Sequence, residues 1–567
     1  MGAPLWGMAK RIVSSFAVMR LLAACSAGGG NDEAQADAVT EASFSYAGQA
    51  VIAALHAKHD GMRGRTWDFA TDGRLDAGWV LQSPLAEYWG TSVADLPIAQ
   101  PCDGDAACDP DFGLIACSSQ SDCTHGGTCK AVASTVTAPG MDPRSMCVGH
   151  SDALYDDIYE VIRDTQSFVD ITSLSPPDGR FEAAVRNAVT YLSNKADSKI
   201  RVRLLYGDII MGVLVGDGRG TDDVLKSIVR DVAPSSHVRV TVGEYRDGLE
   251  SWDHAKIVSA DGATAIVGGH NMWTKHYLQK NPVHDISMKV HGSAAAHASH
   301  FANELWAFTC HRTGFVGYAN VSDFPAGGKG CSEPFAMKPA PGLAGAGSTK
   351  IVSVGRLGAV GDEAADDAIV ALVNSAKKQA RLSLQDIGPP SELGIAIASW
   401  PEPYLRALVA AVGRGVDVEL ILSNKGAVPG GLLATSATYS NGYTAGDVVK
   451  KLAAYAHAHP DLVPAGADVA ALLCSKLHAA TLRPSADDAW PDGAGFANHA
   501  KLAIVDDRAF YMGSQNWYPA NLAEFGYVVD DARATAELLA AYYTPAWQAS
   551  SRTAESGAGV SSCVLSR

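Results

Sequence analysis

The sequence has no G-x-S-x-G elbow and no G-x-x-x-x-G-K-[ST] loop, so neither a serine lipase nor a P-loop nucleotidase is indicated. Apolar runs of membrane-spanning length are missing, and no integral helical span is predicted. Basic residues are in short supply: 45 Lys and Arg against 61 Asp and Glu leave a formal net charge of −16. That balance disfavours a nucleic-acid partner bound by broad backbone neutralisation, but leaves room for a small anion held by a few local cations. Charged residues make up 19% of the chain and hydrophobic ones 47%, a globular composition with enough apolar side chains for a large core. Its 567 residues suit two to four domains or two large lobes.

Eleven cysteines point to an oxidising compartment. Six of them, Cys102, Cys108, Cys117, Cys123, Cys129 and Cys147, lie in one Asp-, Gly- and Ser-rich stretch and read as a disulfide knot. Zinc is the rival reading, but it favours C-x-x-C pairs, and these cysteines stand at least six apart. Asp103, Asp105, Asp109 and Asp111 in the same stretch form a candidate structural Ca²⁺ site, against the plainer reading of a solvated loop surface. At the N-terminus, Lys10 and Arg11 precede an apolar run from Ile12 to Ala24, interrupted by Arg20. Leu22-Ala23-Ala24-Cys25 resembles a bacterial lipobox, which makes Cys25 the candidate lipidation site. The alternative is an ordinary signal peptide. Export, as a secreted or lipid-anchored protein of the bacterial envelope, is expected either way. The expected organisation is a signal over 1–25, a tether over 26–48 and a first lobe over 49–320 with a cysteine-rich insertion at 100–150. A Gly/Pro/Ala-rich linker over 321–350, a second lobe over 351–550 and a tail over 551–567 follow.

Each half repeats one plan. Helical periodicity over 152–168 precedes a strand at 169–174, a helix at 180–193 and a strand at 200–206. The second half has a helix at 364–378, a strand at 380–385, a helix at 404–413 and a strand at 416–422. Strands alternating with helices predict an α/β fold of two similar α/β/α sandwich lobes, and duplication is the economical account.

The repeat is sharpest at His254-Ala-Lys256-x4-Asp261 and His499-Ala-Lys501-x4-Asp506. Asn271 stands 17 positions after His254, and Asn516 stands 17 positions after His499. A single accidental match to H-x-K-x4-D is expected in about one chain in twenty-five, so two with the same Asn offset are hard to ascribe to accident. On a strand, residues i and i+2 share a face, which turns His and Lys of each motif the same way. Asp261 and Asp506 fall at hairpin turns, where their expected task is structural, fixing the loop by local hydrogen bonds. Two Lys ammonium groups and two Asn amides can hold a phosphate. One His can attack phosphorus while the other protonates the leaving oxygen and later activates water. No metal or other cofactor is required by this chemistry.

These paired motifs resemble those of the phospholipase D superfamily. The likeness extends through Cys474-Ser-Lys-Leu-His, Phe510-Tyr-Met-Gly-Ser-Gln-Asn-Trp-Tyr-Pro, Glu524-Phe-Gly-Tyr, Val169-Asp-Ile-Thr-Ser and Trp67-Asp-Phe to the secreted actinomycete-type enzymes. It covers roughly residues 50–550, with the cysteine-rich segment as the departure. The resemblance implies two lobes related by pseudo-twofold symmetry, an active site at their interface, and a monomer acting on phospholipid at a membrane or micelle surface. It implies His254 as nucleophile, His499 as general acid and then base, and Lys256, Lys501, Asn271 and Asn516 as phosphate ligands. In that family each His is backed by an acid. Asp285 matches the first acid, and Glu524 stands at the second, where close relatives carry Asp. Cys310 and Cys331 match a family disulfide. Cys474 lacks its usual partner near Asp386, leaving Cys563 as partner or Cys474 free. Trp273, Trp517 and Tyr518 are candidate contacts to a quaternary ammonium or lipid surface, or else core. His457 with His459, and His297 with His300, read as helix-surface pairs rather than metal ligands. A superfamily endonuclease, a phosphatidyltransferase and an inactive envelope binding module are the competing readings.

Overall fold

Every residue of Phe168–Ser173 is buried, as in a strand covered on both faces at the centre of an α/β fold. The computed structural model describes residues 40–99, 101–102, 105–195, 199–207, 219–247, 251–311, 321–325, 347–358, 362–388, 400–428, 443–518, 521–557 and 563–566. The expected signal with Cys25, the tether up to 39, Asp103 and Cys331 lie outside the described residues. Residues 44–567 make one compact unit.

In chain order the first half supplies α1 (Tyr46–His59), β1 (Trp67–Gly73), β2 (Val80–Ser83), α2 (Ala153–Arg163), β3 (Phe168–Ser173), α3 (Gly179–Asn194), β4 (Ile200–Gly207), β5 (Val238–Asp247), β6 (Ile257–Ala260), β7 (Thr264–Gly268), β8 (Asp285–His291) and α4 (Ser293–His311). The second half supplies β9 (Thr349–Leu357), α5 (Ala364–Ser375), β10 (Gln379–Leu384), α6 (Glu402–Gly413), β11 (Asp417–Leu422), α7 (Ala445–Ala458), β12 (Leu477–Thr481), β13 (Lys501–Val505), β14 (Ala509–Gly513) and β15 (Ala523–Asp530).

One sheet runs β5-β4-β3-β6-β7-β8-β2, extended at the β5 edge by Ser251–Trp252 and Val321–Phe324. The other runs β12-β11-β10-β13-β14-β15-β9-β1. Up to β2 and β9 the strand orders match one for one. In each, the first two pairings are parallel and the rest antiparallel. The fold is therefore α/β with two large, similarly built sheets. The N-terminal α1 and β1 join the second sheet, with β1 on β9 and α1 against α5.

Strand alternation partitions the core. Val258 and Ile266 face the helices of the first sheet, with Tyr155, Phe181 and Val189. Ala503, Val505 and Tyr511 face α5 and α6 of the second. The opposite faces, carrying Ile257, Val267, Ile286, Leu502, Ile504 and Met512, meet in a shared cluster with Phe301 and Trp306 of α4. Burying that shared face joins the two halves.

The expected helix over 152–168 stops at Arg163. The cause is a distant carboxylate: Asp261 accepts the N–H groups of Gln166, Ser167 and Phe168 at 2.7, 2.8 and 2.9 Å, which turns the chain into β3. In the insertion all six cysteines pair among themselves, as Cys102–Cys108, Cys117–Cys129 and Cys123–Cys147. Its Phe112, Leu114, Val132 and Met146 pack into the core of the first sheet, and Arg180 binds both Asp152 and the Phe112 carbonyl. Asp109 pairs with Arg144, and Asp111 with Arg186 and Arg230. Asp105 accepts from the N–H of Ala107. Cys310 is disulfide-bonded, and Cys474 pairs with Cys563. Among the described residues, no helix is long and apolar enough to cross a membrane.

Candidate active site

Among the described residues, two isolated bridges stitch the halves together. Asp253 bridges Ala523, and His284 bridges Asn498. Each bridge joins the residue before a motif His to the residue before the acid of the other half. The backbone N–H of His254 donates to Ala523 O at 2.8 Å, and that of His499 to His284 O at 2.7 Å.

The side chains follow. His254 Nδ1 lies 2.8 Å from Glu524 Oε2, and His499 Nδ1 lies 2.7 Å from Asp285 Oδ2. The acids thus cross over: the first half's acid serves the second half's histidine, and the reverse. An ionised carboxylate only accepts, so each Nδ1 carries a hydrogen and each neutral ring offers its lone pair at Nε2. Both rings are buried. Burial, with Lys256 and Lys501 adding to it, pushes both histidines well below their usual range.

Lys256 and Lys501 turn to the same side as their histidines, each donating Nζ to the carbonyl oxygen of the motif His two residues back. Burial lowers Lys256 to about 8 and Lys501 to about 7. Asn271 and Asn516 follow β7 and β14. Neither amide atom of Asn271 has a partner among the described residues, although both are buried. Asn516 donates Nδ2 to the Tyr518 hydroxyl at 2.7 Å, and its Oδ1 is without a partner among the described residues. Buried polar atoms left open in this way suit a ligand with oxygens to share.

Asp261 and Asp506 lie off the reacting groups. Both adopt positive φ, 55° and 52°, in the left-handed region that Asp tolerates better than most residues. Asp506 accepts the N–H groups of Lys377, Lys378 and Gln379, all at 2.8 Å, and the hydroxyl of Tyr46. Both carboxylates reach beyond their own hairpin to seat the strand next to it, β3 or β10, a longer-range role than local loop fixing. Gly269 is required where it stands, since a Cβ there would lie 2.0 Å from Asp285 Oδ1.

The aromatic candidates separate. Trp517 is buried and stacks on Tyr404, with centroids 4.4 Å apart, inside the second core. Tyr518 is buried against Asn516. Trp273 is partly exposed and donates Nε1 to Ser175 Oγ at 2.6 Å. His297 is held by Ser353, and His459 stacks on Tyr455. Among the described residues, the convergent group of metal-type ligands is Cys117, Cys123 and Cys147, whose sulfurs are in disulfides.

Sequence reasoning missed four neighbours. Tyr277 donates its hydroxyl to Asp285 Oδ2 at 2.9 Å. Ser514 donates to Glu524 Oε2 at 2.5 Å, and Arg356 Nη2 lies 3.4 Å from Glu524 Oε1. Asp253, fully buried beside His254, accepts the Ala255 N–H, and burial pushes its carboxyl well up. Asn498 occupies the matching place before His499 and accepts from Ala500. Only the Asp253/Asn498 match was visible in sequence, one residue before each motif.

Two comparisons bear on this geometry. A family model described as "Cardiolipin synthase, PLD-like domain" matches residues 369–543. The phospholipase D of Streptomyces antibioticus is 27% identical over 568 aligned positions, covering 90% of this chain and 88% of that protein. Over most of its length the chain is thus similar to a phospholipase D, and its second half matches a PLD-like domain. The phosphatidylserine synthase of Haemophilus influenzae Rd KW20 has a similar structure, with a TM-score of 0.47 and 14% identity over 70% of this chain and 85% of that one. Within that likeness, the protein has its paired motifs on two adjoining sheets, with each histidine backed from the opposite half.

Proposed function

We propose that the protein is a phospholipase D that releases the head group of a glycerophospholipid such as phosphatidylcholine through a phosphohistidine. The observation that carries this reading is the crossed pair of buried dyads, His254–Glu524 and His499–Asp285, beside two lysines and two asparagines. The full-length likeness to the Streptomyces enzyme supports it.

In the first step His254 Nε2 forms a bond to phosphorus as the bond to the head-group oxygen breaks. His499 passes its Nε2 proton to that oxygen, so the alcohol leaves neutral. Lys256 and Lys501 offset the charge spread over the phosphoryl oxygens, while Asn271 donates hydrogen bonds to them. In the second step His499 Nε2 removes the proton of a water, the new O–P bond forms, and the N–P bond to His254 breaks. Phosphatidic acid departs and both rings return to their starting state. The place vacated by the head group admits an alcohol as readily as water, so transfer to alcohols belongs to the same mechanism.

The test is choline release from micellar phosphatidylcholine, compared with cleavage of plasmid DNA, using wild type, His254→Asn and His499→Asn. Choline release by wild type alone, phosphoryl label trapped on His254, and phosphatidylethanol formed in ethanol are the expected results. Plasmid cleavage without choline release would establish the endonuclease reading. Products containing only phosphatidic acid at every tolerated ethanol concentration would exclude the covalent route.

A further inference from the structure

The two histidines carry identical rings, each on a buried carboxylate, yet the reaction starts only if one is neutral and the other holds a proton. The strand register shows where the halves differ. Glu524 on β15 stands directly opposite Arg356 on β9. At the matching place in the first sheet, Asp285 on β8 stands opposite Ser83 on β2. Directly opposed residues of an antiparallel pair share a face and sit within reach of each other.

The contacts follow the register. Arg356 Nη2 approaches Glu524 Oε1 at 3.4 Å, its Nε donates to Leu522 O at 2.9 Å, and its Nη1 lies 3.4 Å from Asp366. Glu524 also accepts from Ser514. Asp285, by contrast, receives neutral donors besides its histidine: the Tyr277 hydroxyl and the Ile286 N–H. Ser83 turns its hydroxyl to Val283 O and His270 Nε2. The carboxylate behind His254 thus shares its charge with a buried guanidinium, and the one behind His499 does not.

We propose that Arg356 divides the labour between the two histidines: by drawing on the charge of Glu524 it keeps His254 the neutral nucleophile and leaves the transferable proton on His499. Arg356 touches neither the substrate nor the reacting atoms and acts as a positioning residue for charge. The other charged groups around the rings do not favour a proton on His499 over His254, and a charged His254 would itself disfavour one on His499. Lys256 and Lys501 act on both rings, as does whichever acid lies across the site, Asp285 for His254 and Glu524 for His499. His276 and His270 lie on the His499 side and, where charged, would disfavour rather than favour a proton there. Asp253, the acid next to His254, is pushed towards its neutral form by burial. Arg356 acts on His254.

The inference rests on the phospholipase D reading, but its test does not need turnover. Full-length protein labelled with ¹³C at histidine Cε1 is titrated by NMR, with His254→Asn and His499→Asn assigning the two signals. In wild type, His499 should hold its proton to higher pH than His254, and the reverse order would overturn the proposal. In Arg356→Met the His254 midpoint should rise by about one pH unit while His499 moves less, and Arg356→Lys should restore most of the gap. An unchanged His254 midpoint in folded Arg356→Met would overturn it too. If that variant does not fold, the wild-type order still decides. The acid limb of kcat/KM for bis(p-nitrophenyl) phosphate should follow His254 upward in Arg356→Met. Absence of choline release from phosphatidylcholine would count against the proposed activity and leave the titration order standing.

Discussion

His284 accepts the backbone N–H of His499 on its carbonyl oxygen at 2.7 Å and donates its own N–H to Ala497 O at 2.9 Å. The loop delivering one motif histidine is thereby laid along the start of the strand that carries its acid, Asp285. Two consecutive residues, His284 and Asp285, thus hold the backbone and the ring of His499, and both come from the opposite sheet.

The crossing makes the two acids separable by leaving group. Asp285→Asn weakens the acid that protonates the departing oxygen, so kcat/KM for phosphatidylcholine should fall by about 10²–10⁴-fold. A p-nitrophenyl ester, whose leaving group needs little protonation, should lose far less. Glu524→Gln impairs the nucleophile and should reduce turnover of both substrates alike. Equal substrate dependence in the two variants would show that the crossed contacts do not set the roles.

Substrate binding should weaken as pH rises. Lys256, lowered to about 8, and Lys501, lowered to about 7, are charged below those values and lose charge above them. A phosphodiester does not titrate in that range, so its KM should increase about threefold or more between pH 7 and 9 as the site loses positive charge. Lys501→Arg, permanently charged, should be less active but should move this alkaline limb to higher pH. Initial rates on short-chain phosphatidylcholine across that range are sufficient.

Asp261 and Asp506 should report on stability rather than chemistry. Asp261→Ala strips acceptors from the N–H groups of Gln166, Ser167 and Phe168 and places a Cβ residue with no compensating hydrogen bonds at positive φ. A loss of about 3 kcal/mol is expected, with Asp261→Asn losing less because Asn tolerates that backbone and retains an acceptor. Urea unfolding measures the loss, and kcat/KM per folded molecule should stay near wild type.

The Cys474–Cys563 bond closes a loop spanning a separation of 89 residues that contains His499, Lys501, Asn516 and Glu524. Opening it by Cys474→Ala with Cys563→Ala should cost about 4–5 kcal/mol, chiefly through a freer unfolded chain. The melting temperature should drop while activity at 25 °C persists.

His254, Lys256, Asn271 and their second-half counterparts were legible because the signal is local: a fixed spacing within one hairpin, written twice. The four helices and four strands expected over 152–206 and 364–422 were legible from local periodicity, apart from the early ends of α2 and α5, where Asp261 and Asp506 hold the chain from far along the sequence; α1, β5, α4, β9 and α7 were not read from the sequence. The crossing of Asp285 and Glu524 was not legible, because spacing does not say which half a carboxylate turns to. Arg356 was hidden further still, since only the register of β9 against β15 places it opposite Glu524. Trp517 illustrates the opposite difficulty: an aromatic beside a phosphate ligand reads as a contact, while its ring is held by Tyr404.

The crossed dyads also bear on synthesis. A ribosome-bound chain whose first sheet has emerged exposes His254, Lys256 and Asn271 long before residue 524, and β1 has no second sheet to join until β9 appears. In that interval His254 lacks the Glu524 carboxylate and Asp285 lacks the His499 imidazole. An unfinished chain therefore has neither dyad complete, and both come into being only when the second sheet closes on the first.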